Sequence, residues 1–207
     1  MKLIDMTVEQ YSDLLGSSAP APGGGSASAL CGVQGAALIA MVAGLTIGKK
    51  KYALEQDLCV EVEKKATELK NKFILQVDKD SLAFELVSAA LKLPKETDDE
   101  KSERKKAISA ATLVATQVPF ETMRMCLETL HLAKSLVGHS NANAASDLGV
   151  AALNLIAGIK GAWLNVLINL GGLSEEKTKD FRSIGAEMVN IARKEGEEIY
   201  NAVLDVI

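Results

Sequence analysis

Residues 19–48 carry no charge, and the run opens with APAPGGGSASAL: two prolines, three consecutive glycines and a serine ahead of an Ala-rich stretch. Such a run is long enough to span a bilayer. It is built from Ala, Gly and Ser, lacks an aromatic belt, and draws its hydropathy from a few residues such as Leu38, Ile39 and Met41. It therefore reads as a helix buried inside a protein rather than in lipid. A helix of that kind needs other helices around it, which points to a helical bundle. The glycine triplet is costly to order and so calls for a reason. One reason is chemical: first-turn N–H groups with no side chains over them form a cradle for an anion or a carbonyl. Tight packing is the competing reason for the small residues further along, Ser28, Gly32, Ala36, Ala40 and Gly44, which share one helix face.

The remaining pattern is helical. No sustained period-2 alternation and no Asn-Gly or Asp-Gly hairpin turn is present. Thr7 with Gln10 forms a capping box for a helix to about Leu15. The second helix follows the glycines to about Lys50, and a third covers roughly residues 53–92. Thr97 caps a fourth, whose first turn holds Asp98, Asp99 and Glu100 where the helix dipole favours acids. This helix runs toward Val137, with a kink or break expected at Pro119. A fifth spans about 143–170 and a sixth starts at Ser174. The expectation is a single all-α domain over residues 1–207, a bundle of about six helices that dimerises through its small-residue faces.

Composition narrows the function. A net charge of −4 and 4% aromatic residues argue against a nucleic-acid partner. Cys31, Cys59 and Cys126 are odd in number and widely spaced, as reduced thiols of a cytoplasmic protein would be. The N-terminal MKLIDMTVEQYSDLL reads as an amphipathic helix, not a signal peptide. His131 and His139 show no ligand spacing, so no metal site is expected.

Two stripes carry anomalies. Cys59, Val62, Ala66, Leu69, Phe73, Val77, Asp80, Phe84, Val87 and Leu91 recur at helical spacing as a core face, and one of them is a carboxylate. Buried there, Asp80 has its pKa pushed up, which suits a proton carrier near neutral pH. It equally suits a structural carboxylate that accepts backbone N–H groups or caps another helix. Asp78, with Ser81 and Glu85, falls on a different, solvated face. In the fifth helix, Asp147, Ala151, Asn154, Gly158, Gly161, Asn165 and Asn169 make a polar or small face that reads either as a pocket wall or as a packing seam. Lys49, Lys50 and Lys51 end the second helix, as a cap or as a holder of an anionic tail.

Together these segments resemble the cyclodeaminase domain of the formiminotransferase-cyclodeaminase family and its methenyltetrahydrofolate cyclohydrolase relatives. The resemblance rests on PAPGGGS (Pro20–Ser26), GKKKY (Gly48–Tyr52), VDKDSLAF (Val77–Phe84), LPK at 93–95, VP at 118–119, SD at 146–147 and NVLINL at 165–170. It implies an all-α dimer acting on the one-carbon unit of tetrahydrofolate, with no cofactor beyond that substrate and no membrane partner. Its leading implication is closure of 5-formimino-tetrahydrofolate to the 5,10-methenyl form with release of ammonia. The alternative is hydrolysis of the methenyl form, and a third reading is a non-catalytic dimerisation module. Ala145, where the bifunctional domain has arginine, and the absence of a transferase domain from these residues favour the hydrolytic relative. The family places an aspartate in the VDKD segment, and the stripe selects Asp80 as catalytic. The resemblance makes Gly23, Gly24, Gly25, Ser26, Lys49, Lys50, Lys51, Asn141, Ser146, Asp147, Asn165 and Asn169 candidate substrate-binding residues.

Overall fold

The computed structural model describes residues 2–207; Met1 of the N-terminal stretch lies outside the described residues. The six helices are α1 (Val8–Leu15), α2 (Gly24–Gly44), α3 (Gln56–Leu91), α4 (Asp98–Ser135), α5 (Ala145–Leu170) and α6 (Glu175–Leu204), and no strand occurs among the described residues. The capping boxes at Thr7–Gln10 and Thr97–Glu100 both form, with each threonine hydroxyl accepting the N3 backbone N–H. The N-terminal stretch is less helical than its pattern suggests: a short 3₁₀ turn, Leu3–Asp5, precedes α1.

α2 runs through the middle of the bundle and packs most extensively against α3 and α5. α2 and the segment Ala142–Leu170 are both long and apolar enough to cross a membrane by length and composition. In this fold they are core helices, with Ile39 and Val42 of α2 and Leu155 and Ile159 of α5 fully buried. Each such side chain contributes about 1.5–3 kcal/mol by leaving water. The small residues of α2 serve this packing. A side chain at Gly32 would overlap the Phe73 ring, and one at Gly35 would press on Leu155. Ser28, Gly32 and Ala36 of the small-residue face are thus covered within the chain. α2 ends at Gly44, earlier than its sequence pattern suggests, and Gly48 takes the left-handed φ of +77° in the turn that follows. Lys50–Glu55 then form a separate 3₁₀ turn before α3.

α4 is one continuous helix across Pro119. Proline has no N–H for the carbonyl four residues back, which here belongs to Ala115. Asn169 of α5 replaces the missing donor: its Nδ2 gives a 2.7 Å hydrogen bond to the Ala115 carbonyl. Gln76 and Thr122 both donate to the adjacent Val118 carbonyl.

A mismatch in length creates the groove described next. α3 has 36 residues, about 54 Å, and α2 has 21, about 32 Å. The stripe from Cys59 to Val77 is buried under its neighbours. Beyond the first turn of α2 the same stripe emerges, leaving Phe84 and Leu91 about half exposed.

Candidate active site

Asp80 sits where the stripe emerges, against the N-terminus of α2. Its Oδ2 accepts the Ser26 backbone N–H at 2.8 Å and lies 3.1 Å from the Ser26 hydroxyl. Oδ1 accepts no hydrogen bond among the described residues and lies over Gly25, where any side chain would overlap the carboxylate. This accounts for the central constraint of the triplet: Gly25 is bare so that a carboxylate on α3 can close on the α2 backbone. A Cβ at Gly24 would lie 3.3 Å from Asn165 Nδ2, whereas Gly23 faces open space. Desolvation raises the proton affinity of Asp80 above the usual carboxylate range, and the Ser26 hydroxyl and N–H oppose that rise in part.

Ser26 is fully buried, and in this geometry it holds Asp80. Its hydroxyl has a single proton and three neighbours: the Val77 carbonyl at 2.9 Å, Asp80 Oδ2 at 3.1 Å and Ser81 Oγ at 3.3 Å. When Asp80 is ionised, Ser26 donates to it. When Asp80 is protonated, Ser26 accepts from it and turns its own proton to Val77. Both protonation states therefore keep a partner. Tyr11 of α1 packs with Ala29 and Val77 behind this network. Its buried hydroxyl has no hydrogen-bond partner among the described residues, and burial first, then the charge of Asp80, raise its pKa.

The groove in front of Asp80 has a volume of about 290 Å³ and is lined by Pro20, Ala21, Gly23, Gly24, Gly25, Ser81, Phe84, Val87, Ala115, Asn165, Ile168 and Asn169. Of the α5 face expected to line a pocket, only Asn165 and Asn169 do so. Ala151 and Gly158 are buried in the seam, and Asn154 bonds back to the Val150 carbonyl of its own helix. The amide of Asn165 is likewise engaged, donating to the Gly161 carbonyl at 2.9 Å.

Six candidates lie elsewhere. Lys49, Lys50, Lys51, Asn141, Ser146 and Asp147 gather at the opposite end of α2, about 30 Å from Asp80 along the helix. There the Asn141 backbone N–H donates to the Thr46 hydroxyl oxygen at 2.9 Å and its side-chain amide donates to the Leu45 carbonyl; the Ala142 N–H donates to the Tyr52 hydroxyl. Sequence periodicity placed Ser146 and Asp147 on the fifth helix, as found, but put the lysines at the end of the second, whereas they follow it in the 3₁₀ turn; it carried no information on which helix end met which. Asp78 is also corrected: it is half-buried and accepts the Leu3 N–H at 2.7 Å, pinning the N-terminal segment to α3. The groove residues that the pattern missed are Ser81, assigned to the solvated face, and Pro20, Ala21, Ala115 and Ile168. Pro20 stands inside the glycine motif, which was the available signal; nothing local marks Ala115 or Ile168.

Fold and groove define a class, all-helical proteins whose cleft is centred on one partly desolvated carboxylate. A family model described as Formiminotransferase-cyclodeaminase matches residues 7–187, and the chain belongs to that family. It is 42% identical over 203 residues to the methenyltetrahydrofolate cyclohydrolase of Methylorubrum extorquens, with 95% of each chain covered. It is 33% identical to the formimidoyltransferase-cyclodeaminase of Gallus gallus, covering 92% of this chain and 35% of that one. A solved formiminotetrahydrofolate cyclodeaminase from Thermotoga maritima matches with a TM-score of 0.80 and 28% identity, over 97% of this chain and 95% of the other. The resemblance read from the motifs and the all-α fold are thereby established, and with them membership of a family of folate one-carbon enzymes.

Proposed function

We propose that this chain acts on the one-carbon bridge between N5 and N10 of tetrahydrofolate, as a methenyltetrahydrofolate cyclohydrolase. The carrying observation is Asp80: a carboxylate of raised proton affinity, one oxygen held by Ser26 and the other turned to the groove. Asp80 takes a proton from the water that attacks the bridging carbon. The carbon–oxygen bond forms, the carbon–N5 bond breaks, and the proton passes to N5 as the 10-formyl product forms; the second water proton leaves to solvent. The groove volume, about 290 Å³, suits the reacting part of the substrate rather than all of it.

The 42% identity to a cyclohydrolase along nearly its whole length favours hydrolysis over the cyclodeaminase reading that led from the motifs. The cyclodeaminase reading is kept as second, on the similarity to the Thermotoga maritima protein. In that reaction N10 attacks the carbon of the protonated formimino group, the N10 proton passes through Asp80 to the departing nitrogen, and the carbon–nitrogen bond breaks to release ammonia and leave the methenyl cation. The substrate is then the same class and the carboxylate the same group.

The working form is a homodimer or larger assembly in the cytoplasm. Support for assembly is the exposed apolar stripe of α5, where Val150, Leu153, Leu164 and Ile168 are 48, 48, 67 and 78% exposed. Near-ultraviolet absorbance with purified protein tests the reading. Loss of methenyl-tetrahydrofolate above the uncatalysed rate identifies hydrolysis, and its appearance from the formimino form identifies cyclodeamination. Neither change would refute both.

A further inference from the structure

Many hydroxyls of this bundle give their proton to their own helix. Ser12, Ser28, Thr116, Thr122 and Thr129 each donate to the carbonyl four residues back. Ser81 of α3 does not. The carbonyl four residues before it, that of Val77, takes the Ser26 hydroxyl at 2.9 Å instead. The hydrogen-bond partner of Ser81 Oγ among the described residues is Ser26 Oγ at 3.3 Å, and either atom can be the donor. Ser81 is half-buried and is the one hydroxyl-bearing residue among those lining the Asp80 groove. Its proton is therefore set by a neighbour on α2 rather than by its own helix, at a position that faces the site.

The direction of the protons along this chain follows from Asp80. An ionised carboxylate can only accept, and a charged acceptor outweighs a neutral carbonyl. The Ser26 hydroxyl then turns its single proton from Val77 to Asp80 Oδ2, 3.1 Å away. Ser26 Oγ becomes an acceptor toward Ser81, which donates to it. Ser81 is left with a lone pair and no proton for the groove. Asp80 Oδ1, which accepts no bond among the described residues, is in the same condition. Two acceptors on one wall suit a water molecule that donates both of its protons. A water held in that way keeps both lone pairs free, and a lone pair is what attacks an electrophilic carbon.

We infer that Ser81 is a positioning residue for hydrolysis: its hydroxyl, oriented through Ser26 by ionised Asp80, holds the attacking water together with Asp80 Oδ1. The inference rests on the hydrolytic reading of the groove. One water proton goes to Asp80 and on to N5, as set out above. Ser81 accepts a hydrogen bond from the other and takes no proton itself; that proton leaves to solvent as the formyl group forms. Ring closure of the formimino substrate has N10 as its nucleophile and needs no water. Ser81 therefore serves one of the two reactions and is indifferent to the other.

The test compares Ser81→Ala and Ser81→Thr with the wild-type protein, in hydrolysis of methenyl-tetrahydrofolate and in closure of the formimino form, with a melting temperature for each. Ser81→Ala should lower kcat for hydrolysis about tenfold, the loss of one positioning hydrogen bond. Its KM should stay within about twofold, because the hydroxyl touches water and not the folate. Its melting temperature should hold, since Ser26 keeps Asp80 and Val77 as partners. Ser81→Thr retains the hydroxyl and should keep kcat within about threefold of wild type. Any closure activity of the wild type should survive in Ser81→Ala within about twofold. The inference is overturned by an alanine variant with wild-type kcat for hydrolysis, by equal losses in both reactions, or by a threonine variant as slow as alanine. A wild-type protein that closes the formimino substrate and does not hydrolyse the methenyl form faults the hydrolytic reading itself, and the inference falls with it.

Discussion

The two ends of α2 meet charge in opposite ways. At its start a single carboxylate is drawn in among small and apolar groups, desolvated, and held by one serine. At its end three exposed lysines project from a turn. The first arrangement stores a difference in free energy between two protonation states, which is what proton transfer uses. The second raises the local potential without selecting a geometry. A charged motif in a sequence can therefore mean reactivity or only a solvated cap, and burial decides which.

The sharpest way to break this comparison is Asp80→Asn, which keeps shape and removes the titratable group. Turnover should fall by about 10²–10⁴. Between the ordinary aspartate range and its own raised pKa, folded Asp80 binds more protons than unfolded Asp80 does, so stability falls as pH rises through that interval. Asparagine removes that dependence. Melting temperature at neutral pH should hold or rise, and its decline with pH above the acid range should flatten. A marked loss of melting temperature with turnover intact per folded molecule would make Asp80 a structural cap.

Gly25→Ala probes the same end from the helix side. The added methyl overlaps the carboxylate and must displace it, so turnover should fall by about ten- to a hundredfold. Thermal stability should fall as well, by about 1–3 kcal/mol for an overpacked contact. Calorimetry and initial rates check both, and full activity in the variant would show that Asp80 does not need its present position. The smallest effect belongs to the other end. Lys49→Ala/Lys50→Ala/Lys51→Ala should leave kcat within about twofold, as surface substitutions do; a large loss would join the two ends into one site.

The core stripe of α3, the Thr7 capping box, the Thr97 cap and the anomaly at Asp80 were legible because each depends on spacing within one helix. The emergence of that stripe beyond Val77 was not, because it follows from the difference in length between α3 and α2. The burial of Ser26 was hidden for a similar reason: its partner is 54 residues away, on another helix. The separation of the lysines from Asp80 is a property of α2 as a rigid spacer, and the sequence motifs, read as an ordered set, concealed it. The seven-residue glycine motif was legible as a site but not as a packing demand made by a carboxylate.

Pro119 and Asn169 are joined by the Ala115 carbonyl, which one of them deprives of a donor and the other supplies. Asn169→Ala alone strands that carbonyl and should cost about 1–3 kcal/mol. In a Pro119→Ala background the helix regains its own N–H and the asparagine becomes dispensable, so the double-mutant cycle should close with a coupling of similar size. Descent along this pair is then directional: a lineage can shed the proline first and the asparagine afterwards, while the reverse order passes through a less stable protein. The groove-facing asparagine is thus tied to the history of a proline on a different helix.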